Sequence, residues 1–89
     1  GFAHKGLQGF YETGATTRIQ SRHGAKLRLI LTALEAAEEV NHMRLPAFRL
    51  HKLSGKLKGF WSVWVNGNWR IIFRFENGEA FDIDYLDYH

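Results

Sequence analysis

The residues of this sequence that could carry out chemistry are histidines, arginines and a short acidic and aromatic terminus. The chain has five histidines and no cysteine. Histidine exchanges protons near neutral pH because its unperturbed pKa is about 6.5, and arginine can bind two phosphate oxygens through its planar guanidinium. Cleavage of RNA needs these properties: one group takes the 2′-OH proton, another protonates the 5′-oxygen, and a cation stabilises the charge on phosphorus.

The candidates for this chemistry lie late in the chain. His51 falls in a predicted strand, and the sequence ends in Asp87, Tyr88 and His89. Asp87 could orient a histidine, and Tyr88 offers a hydroxyl and a ring on which a base can stack. From residue types alone a terminus of this kind is more often a loose polar tail. His51 could equally be a structural strand histidine.

The other histidines and the cations suggest weaker hypotheses. His4, His23 and His42 have polar neighbours, and we expect them to be solvent-exposed. No histidine spacing matches a zinc motif, so we expect neither a metal site nor a cofactor. A basic loop between two strands is either a solvated loop or a grip on RNA phosphates; its residues are Lys52, Lys56 and Lys58.

Two helices are predicted in the first half of the chain. The first spans residues 4–12 and ends at Gly14; its apolar face contains Leu7, Phe10 and Tyr11. The second spans residues 22–40, with helical spacing of Leu27, Ile30, Leu31 and Leu34. Ser21 is predicted as its N-cap and Asn41 as its end.

The second half predicts strands over residues 48–53, 60–65, 69–75 and 80–85, which are rich in β-branched and aromatic residues. Asn66-Gly67 predicts a two-residue hairpin loop. With that loop, one face is apolar and holds Phe60, Trp64, Trp69, Ile71, Phe73 and Phe75. The opposite face holds Arg70 and Arg74, and the same alternation places Arg49 and His51 there as well.

These elements predict an α+β fold, with two helices on one face of an antiparallel sheet. The 89 residues fit a single domain, residues 1–89. The hydrophobic content of 45% is enough to bury a core, and the net charge of +3 favours an anionic partner. The chain has neither a membrane-spanning run nor a signal peptide, so we expect a cytoplasmic protein that does not enter the membrane.

Four segments together resemble the HigB toxins of the RelE superfamily, the toxic halves of bacterial toxin–antitoxin pairs. They are the runs HKGL and FYETG at residues 4–14, LPAFRLH at 45–51, GFWSVWVNGNWR at 59–70 and the final DYH. The resemblance covers essentially the whole chain. It implies a RelE-like α+β fold and a metal-free endoribonuclease that cuts mRNA in the ribosomal A site, with a helix-turn-helix, HigA-like antitoxin as partner.

The resemblance also implies roles for particular residues. It places the catalytic positions at His51, Asp87, Tyr88 and His89, with Arg70 facing the phosphate; either histidine could be the base or the acid. The candidate RNA-binding residues are Arg49, Lys52, Lys56, Lys58 and Arg74. Close HigB relatives often carry lysine at the position of Ser54, so a phosphate contact there is missing or is made by Lys52 or Lys56.

Two other functions fit parts of the same pattern. A ParE-like toxin that poisons gyrase could share the fold without needing His51 or His89. A non-catalytic RNA- or protein-binding module could use Arg70 and the lysines. The resemblance implies poor cleavage of free RNA, which also fits a small domain with few charges that lacks an obvious groove to distort RNA.

Overall fold

The structure is a computed structural model that describes residues 1–88; His89 lies outside the described residues. Within them the chain forms helices α1 (Lys5–Thr13) and α2 (Gly24–Ala36) and strands β1 (His51–Lys52), β2 (Trp61–Asn66), β3 (Trp69–Glu76) and β4 (Glu79–Asp87). The strands form one antiparallel sheet in the order β1-β2-β3-β4. The predicted α+β class is confirmed.

Helix α1 begins and ends with specific caps. The His4 Nδ1 atom accepts a hydrogen bond from the Leu7 N–H at 2.9 Å, and Gly14 adopts the left-handed conformation that ends the helix. Leu7 and Phe10 are buried and Tyr11 packs against the same core. The predicted apolar face of this helix is therefore confirmed.

Helix α2 is shorter than predicted at both ends. Ser21 does not cap it, because residues Ser21–His23 form a separate 3-10 turn whose N-cap is Gln20. The α-helix ends at Ala36, before an exposed acidic stretch, and Asn41 lies in another 3-10 turn, Val40–Met43. The predicted Asn41 end was therefore wrong.

The helices cover one face of the sheet and form the main core with it. The helix side chains in this core are Leu7, Phe10, Leu27, Ile30, Leu31 and Leu34, and the sheet contributes Val63, Val65, Ile71, Phe73, Ile83 and Tyr85. Burial of apolar area is the main stabilising term in such a fold. Leu53 and Ile72 are also buried but lie outside this cluster, so the second face of the sheet is partly covered too.

The first predicted strand is almost entirely replaced by other structure. Residues Pro46–Phe48 form a 3-10 turn, Arg49 has a left-handed backbone, and only His51–Lys52 pair with β2. Phe48 is buried as expected, and Leu50 packs against the main core. The short strand nevertheless brings the backbone of His51 opposite Ser62 on β2.

Candidate active site

A hollow of about 210 Å³ opens on the sheet face opposite the helices. It is lined by residues from all parts of the second half of the chain: Arg49, His51, Leu53, Ser62, Trp64, Arg70 and Tyr88. Four of them, Arg49, His51, Arg70 and Tyr88, were sequence-predicted site residues. The hollow therefore combines two guanidinium groups, an imidazole and a phenol within one concave surface.

A β-bulge in β2 determines which side chains reach the hollow. Trp64 pairs with Arg70, but the next pair is Asn66 with Trp69, so Val65 is the extra residue. The hairpin turn is consequently Gly67-Asn68, one residue later than the predicted Asn66-Gly67 loop. The predicted placement of Trp64 on the apolar face with Trp69 was wrong, because the shift of one residue reverses the side chain's face.

Phe60 was also predicted on the core face and is not part of the main core. Its ring lies under the guanidinium of Arg74, with 4.4 Å between the Arg74 Cζ atom and the ring centre. Phe60 therefore belongs to the same side of the sheet as Arg74, and the predicted core placement was wrong.

Arg70 is held by the backbone of the hairpin. Its Nη1 atom donates to the carbonyls of Gly67 at 2.9 Å and Trp69 at 3.1 Å. Both contacts use Nη1, which leaves the N–H groups of Nε and Nη2 as those that could meet a phosphate. The guanidinium is thus oriented by the protein before any ligand arrives.

Arg49 and Trp64 form one wall of the hollow. The Arg49 Cζ atom lies 4.0 Å from the centre of the Trp64 ring, within cation–π distance. The Lys26 ammonium of α2 lies 5.1 Å from the same ring and donates a hydrogen bond to the Ala47 carbonyl at 3.1 Å. This wall therefore collects two cations around one indole.

His51 lies at the mouth and Ser62 at the base of the hollow. His51 is exposed, whereas Ser62, opposite it on β2, is only 4% exposed. An exposed imidazole that lines the same hollow as two guanidinium groups can exchange protons with a bound molecule, and the buried hydroxyl can donate or accept a hydrogen bond.

The C-terminal residues approach the hollow from β4. Asp87 is the last residue of that strand and pairs with Trp69, and the Tyr88 N–H donates to the Asn68 carbonyl at 2.8 Å. Tyr88 is 43% exposed and lines the hollow. The predicted catalytic residue His89 lies outside the described residues.

The other predicted RNA-binding cations lie away from this hollow. Lys52 lies over Trp61 at 5.7 Å, and Lys56 and Lys58 are exposed in and after the 3-10 turn Gly55–Leu57. Arg74 is paired with Asp82, with 3.5 Å between Nε and Oδ2. The structure thus brings only Arg49 of this predicted group to the hollow, so any contact of the others with RNA would lie outside it.

Two of the three histidines expected to be solvent-exposed are not. His4 is half-buried where it caps α1, and His23 is 2% exposed. The Nδ1 atom of His23 is hydrogen-bonded to the Tyr85 hydroxyl at 2.7 Å, and Nε2 is buried without a partner among the described residues. Burial lowers the pKa of His23 below its ordinary value of 6.5, and the charge of Arg22 lowers it further. His23 faces the core, so it does not belong to the hollow.

The sequence interpretation missed Ser62, Trp64, Leu53 and Lys26. Ser62 and Trp64 lie on the same face by alternation, but a Gly67-Asn68 turn with regular pairing would place Trp64 opposite Ile71 on the core face. The bulge at Val65 is what brings Trp64 opposite Arg70. Nothing local points to Lys26, because its approach to Trp64 depends on how α2 packs on the sheet.

Among residues 1–88, no three histidine, aspartate or glutamate side chains lie close enough together to hold a metal ion. No helix in the same range is long and apolar enough to cross a membrane.

Comparisons with known proteins identify the class that this fold and hollow define. A family profile described as "RelE-like toxin of type II toxin-antitoxin system HigB" matches residues 1–89. The chain is 38% identical over 88 residues to "Endoribonuclease HigB" of Proteus vulgaris, covering 99% of this chain and 96% of that protein. It is 37% identical over 91 residues to "Toxin HigB-1" of Vibrio cholerae, covering 99% and 94% of the two chains.

The class is therefore that of the RelE-like toxins of type II toxin–antitoxin systems. Within this class the chain belongs to the HigB-like toxin family. The resemblance drawn from the sequence is confirmed, and membership implies a cognate antitoxin.

Proposed function

We propose that this toxin is an endoribonuclease that cuts mRNA in the A site of the bacterial ribosome. The observation that carries the proposal is the hollow in which His51, Arg70 and Tyr88 meet. The relative named "Endoribonuclease HigB" in Proteus vulgaris supports the reaction type. The hollow lies on the sheet face away from the helices, which is the face a bound mRNA would have to reach.

The reaction proposed needs no metal and conserves all atoms. One histidine of the pair His51 and His89 takes the proton of the ribose 2′-OH, and the 2′-oxygen attacks the adjacent phosphorus. The bond from phosphorus to the 5′-oxygen breaks, and the other histidine protonates that oxygen. The products are a 2′,3′-cyclic phosphate and a 5′-hydroxyl.

The arginines stabilise the charge of this reaction. Arg70 is oriented by the Gly67 and Trp69 carbonyls, so its guanidinium can meet the phosphorane without reorganising. Arg49 lines the same hollow as Arg70 and would bind a neighbouring phosphate of the RNA. Tyr88, exposed at the rim, would stack on a splayed base, and Asp87 would orient or share a proton with a histidine.

The remaining predicted cations would help to bind RNA in the complex with the ribosome. Lys52, Lys56, Lys58 and Arg74 lie outside the hollow, where they would contact RNA phosphates away from the cleaved bond.

We propose a helix-turn-helix, HigA-like antitoxin as the cognate partner and the cytoplasm, where ribosomes work, as the location. The whole of residues 1–89 would act as one domain.

Purified translation on a defined mRNA tests the proposal. We expect wild-type protein to produce cuts positioned by codon, and His51→Ala to abolish most of them while the protein stays folded. His42→Ala is the matched control, because His42 is an exposed histidine outside the hollow whose Nδ1 accepts a local backbone hydrogen bond. The same mRNA without ribosomes should be cut poorly.

Three results would contradict the proposal in different ways. Unbroken mRNA together with inhibited DNA supercoiling would identify a gyrase poison. Ribosome binding without any cleavage would identify a non-catalytic RNA-binding module. Equal loss in His51→Ala and His42→Ala would show that neither histidine acts at the reaction centre.

A further inference from the structure

The half-buried Trp64 indole of the hollow lies against two cations and takes no part in the proposed proton transfers. Its ring contacts the Arg49 guanidinium at 4.0 Å and the Lys26 ammonium at 5.1 Å. The face of an aromatic ring carries partial negative charge and attracts cations. This attraction offsets part of the electrostatic repulsion between two positive groups near the same ring.

Trp64 is connected to Arg70 through a shared acceptor. The Trp64 Nε1–H and the Arg70 Nη1–H both donate to the Gly67 carbonyl, each at 2.9 Å. A carbonyl oxygen has two lone pairs, so this oxygen is fully used by the two side chains. The Trp64 N–H therefore fixes the orientation of the Gly67 peptide that in turn orients Arg70.

Arg49 combines a left-handed backbone with its contact to the Trp64 ring. It is one of three non-glycine residues with a positive φ among residues 1–88, at 49°. A left-handed backbone at a long side chain costs free energy that surrounding contacts must offset. The cation–π contact with the Trp64 ring contributes to that offset.

From these contacts we infer that Trp64 is a positioning residue for RNA cleavage, holding Arg49 through its ring and Arg70 through its N–H. The inference rests on the proposed endoribonuclease function. Trp64 acts through the two arginines, and its place in the site is created by the bulge at Val65 that turns it away from the core.

A double-substitution cycle tests this inference on ribosomes programmed with a defined mRNA. Arg49→Ala and Trp64→Leu should each lower the cleavage rate by about 2- to 30-fold, the range that one cation–π contact supports. Combined, they should lose little more than Trp64→Leu alone, because the ring is what makes Arg49 effective. Trp64→Phe keeps a ring for Arg49 and should lose only the part that depends on the N–H.

Trp61→Leu is the matched control. Trp61 is a half-buried tryptophan of the same strand, on the opposite face and packed against the main core. It should lower stability without changing the effect of Arg49→Ala, so the losses of the two substitutions should multiply. Circular dichroism verifies that each variant is folded; if Trp64→Leu does not fold, Trp64→Phe combined with Arg70→Ala provides the cycle.

A second measurement does not depend on cleavage. In the wild type, the Arg49 side-chain Nε–H signal in NMR should show a ring-current shift, which should vanish in Trp64→Leu and persist in Trp61→Leu. Absence of that shift, or independent multiplication of the Arg49→Ala and Trp64→Leu losses, would overturn the positioning role. If the wild type cuts no mRNA on programmed ribosomes, the endoribonuclease function itself fails, which is a different result.

Discussion

The buried His23 should make this small protein less stable in mild acid. His23 is 2% exposed, and burial with the nearby Arg22 charge lowers its pKa in the folded state below 6.5. Above pH 6.5 the imidazole is neutral in both states, and its contribution to stability is complete. As the pH falls below 6.5, the unfolded chain takes up a proton that the folded chain does not.

The magnitude follows from this difference in proton uptake. One proton bound only by the unfolded chain lowers the free energy of unfolding by about 1.4 kcal/mol per pH unit, until the lowered pKa of the folded state is reached. At pH 5.5 the expected loss is therefore up to about 1.4 kcal/mol relative to neutral pH. For a domain of this length that corresponds to a fall in Tm of roughly 6–11 °C.

Urea unfolding followed by circular dichroism between pH 7.5 and 5.5 measures the effect, with His23→Asn as comparison. Asparagine places an amide oxygen near the position of Nδ1, where Tyr85 can still donate to it, but it does not titrate. The variant should be less stable at neutral pH, and the difference between the two proteins should shrink as the pH falls. A parallel loss in both proteins would refute the assignment to His23.

Removal of the Tyr85 hydroxyl tests the same cluster without changing charge. Tyr85→Phe keeps the ring stacked on Trp69 at 4.7 Å but deprives the buried His23 of its hydrogen-bond partner. The expected cost is about 1–3 kcal/mol, the desolvation penalty of an unsatisfied buried group. Tyr88→Phe, at an exposed tyrosine, should change stability by less than about 0.5 kcal/mol; equal effects would contradict the argument.

Three further tests concern the packing of α1 and the proposed roles of Arg70 and His89. A Cβ at Gly6 would lie 2.5 Å from the Arg18 Cβ, whereas one at Gly9 meets nothing within 4 Å. Gly6→Ala should therefore lower the free energy of unfolding by about 1–3 kcal/mol, and Gly9→Ala should raise it by up to about 1 kcal/mol. A change of the same sign in both variants would refute the close approach at Gly6. Arg70→Lys keeps the charge but not the fork, so it should lose most of the about 10²- to 10³-fold that removal of a transition-state donor costs in the translation assay. His89→Gln should slow mRNA cleavage by about 10²- to 10⁴-fold, as expected for loss of a proton-transfer group, and an active variant would remove His89 from the mechanism.

The fold class could be predicted because local and long-range signals agree. The apolar spacing of α1, the left-handed stop at Gly14 and the alternation in β3 all act within a few residues and survive folding unchanged. The same alternation placed Arg70 and His51 on one side, and both line the hollow. Elements defined by their own residues were therefore recovered from the sequence.

The errors have a common physical origin in long-range packing. The bulge at Val65 gives β2 one residue more than β3 next to the hairpin turn. The alternation of side chains between the two faces reverses across this bulge, so regular alternation assigned Trp64 to the wrong face. His23 has polar neighbours in sequence, but the 3-10 turn at the start of α2 directs it onto Tyr85 and Trp69. No periodicity in the sequence encodes either arrangement, because both depend on which element packs against which.

The position of His23 and Tyr85 also connects stability to the hollow. Trp69 stacks on Tyr85 on the core side of β3, and its neighbour in sequence, Arg70, lines the hollow on the other side. Arg70 Nη1 donates a hydrogen bond to the Trp69 carbonyl. A shift of Trp69 therefore moves an acceptor that orients the Arg70 guanidinium. Substitutions that remove the Tyr85 ring should therefore lower stability and cleavage together, whereas Trp64→Phe should lower cleavage with little change in Tm, because Trp64 lies outside the main core.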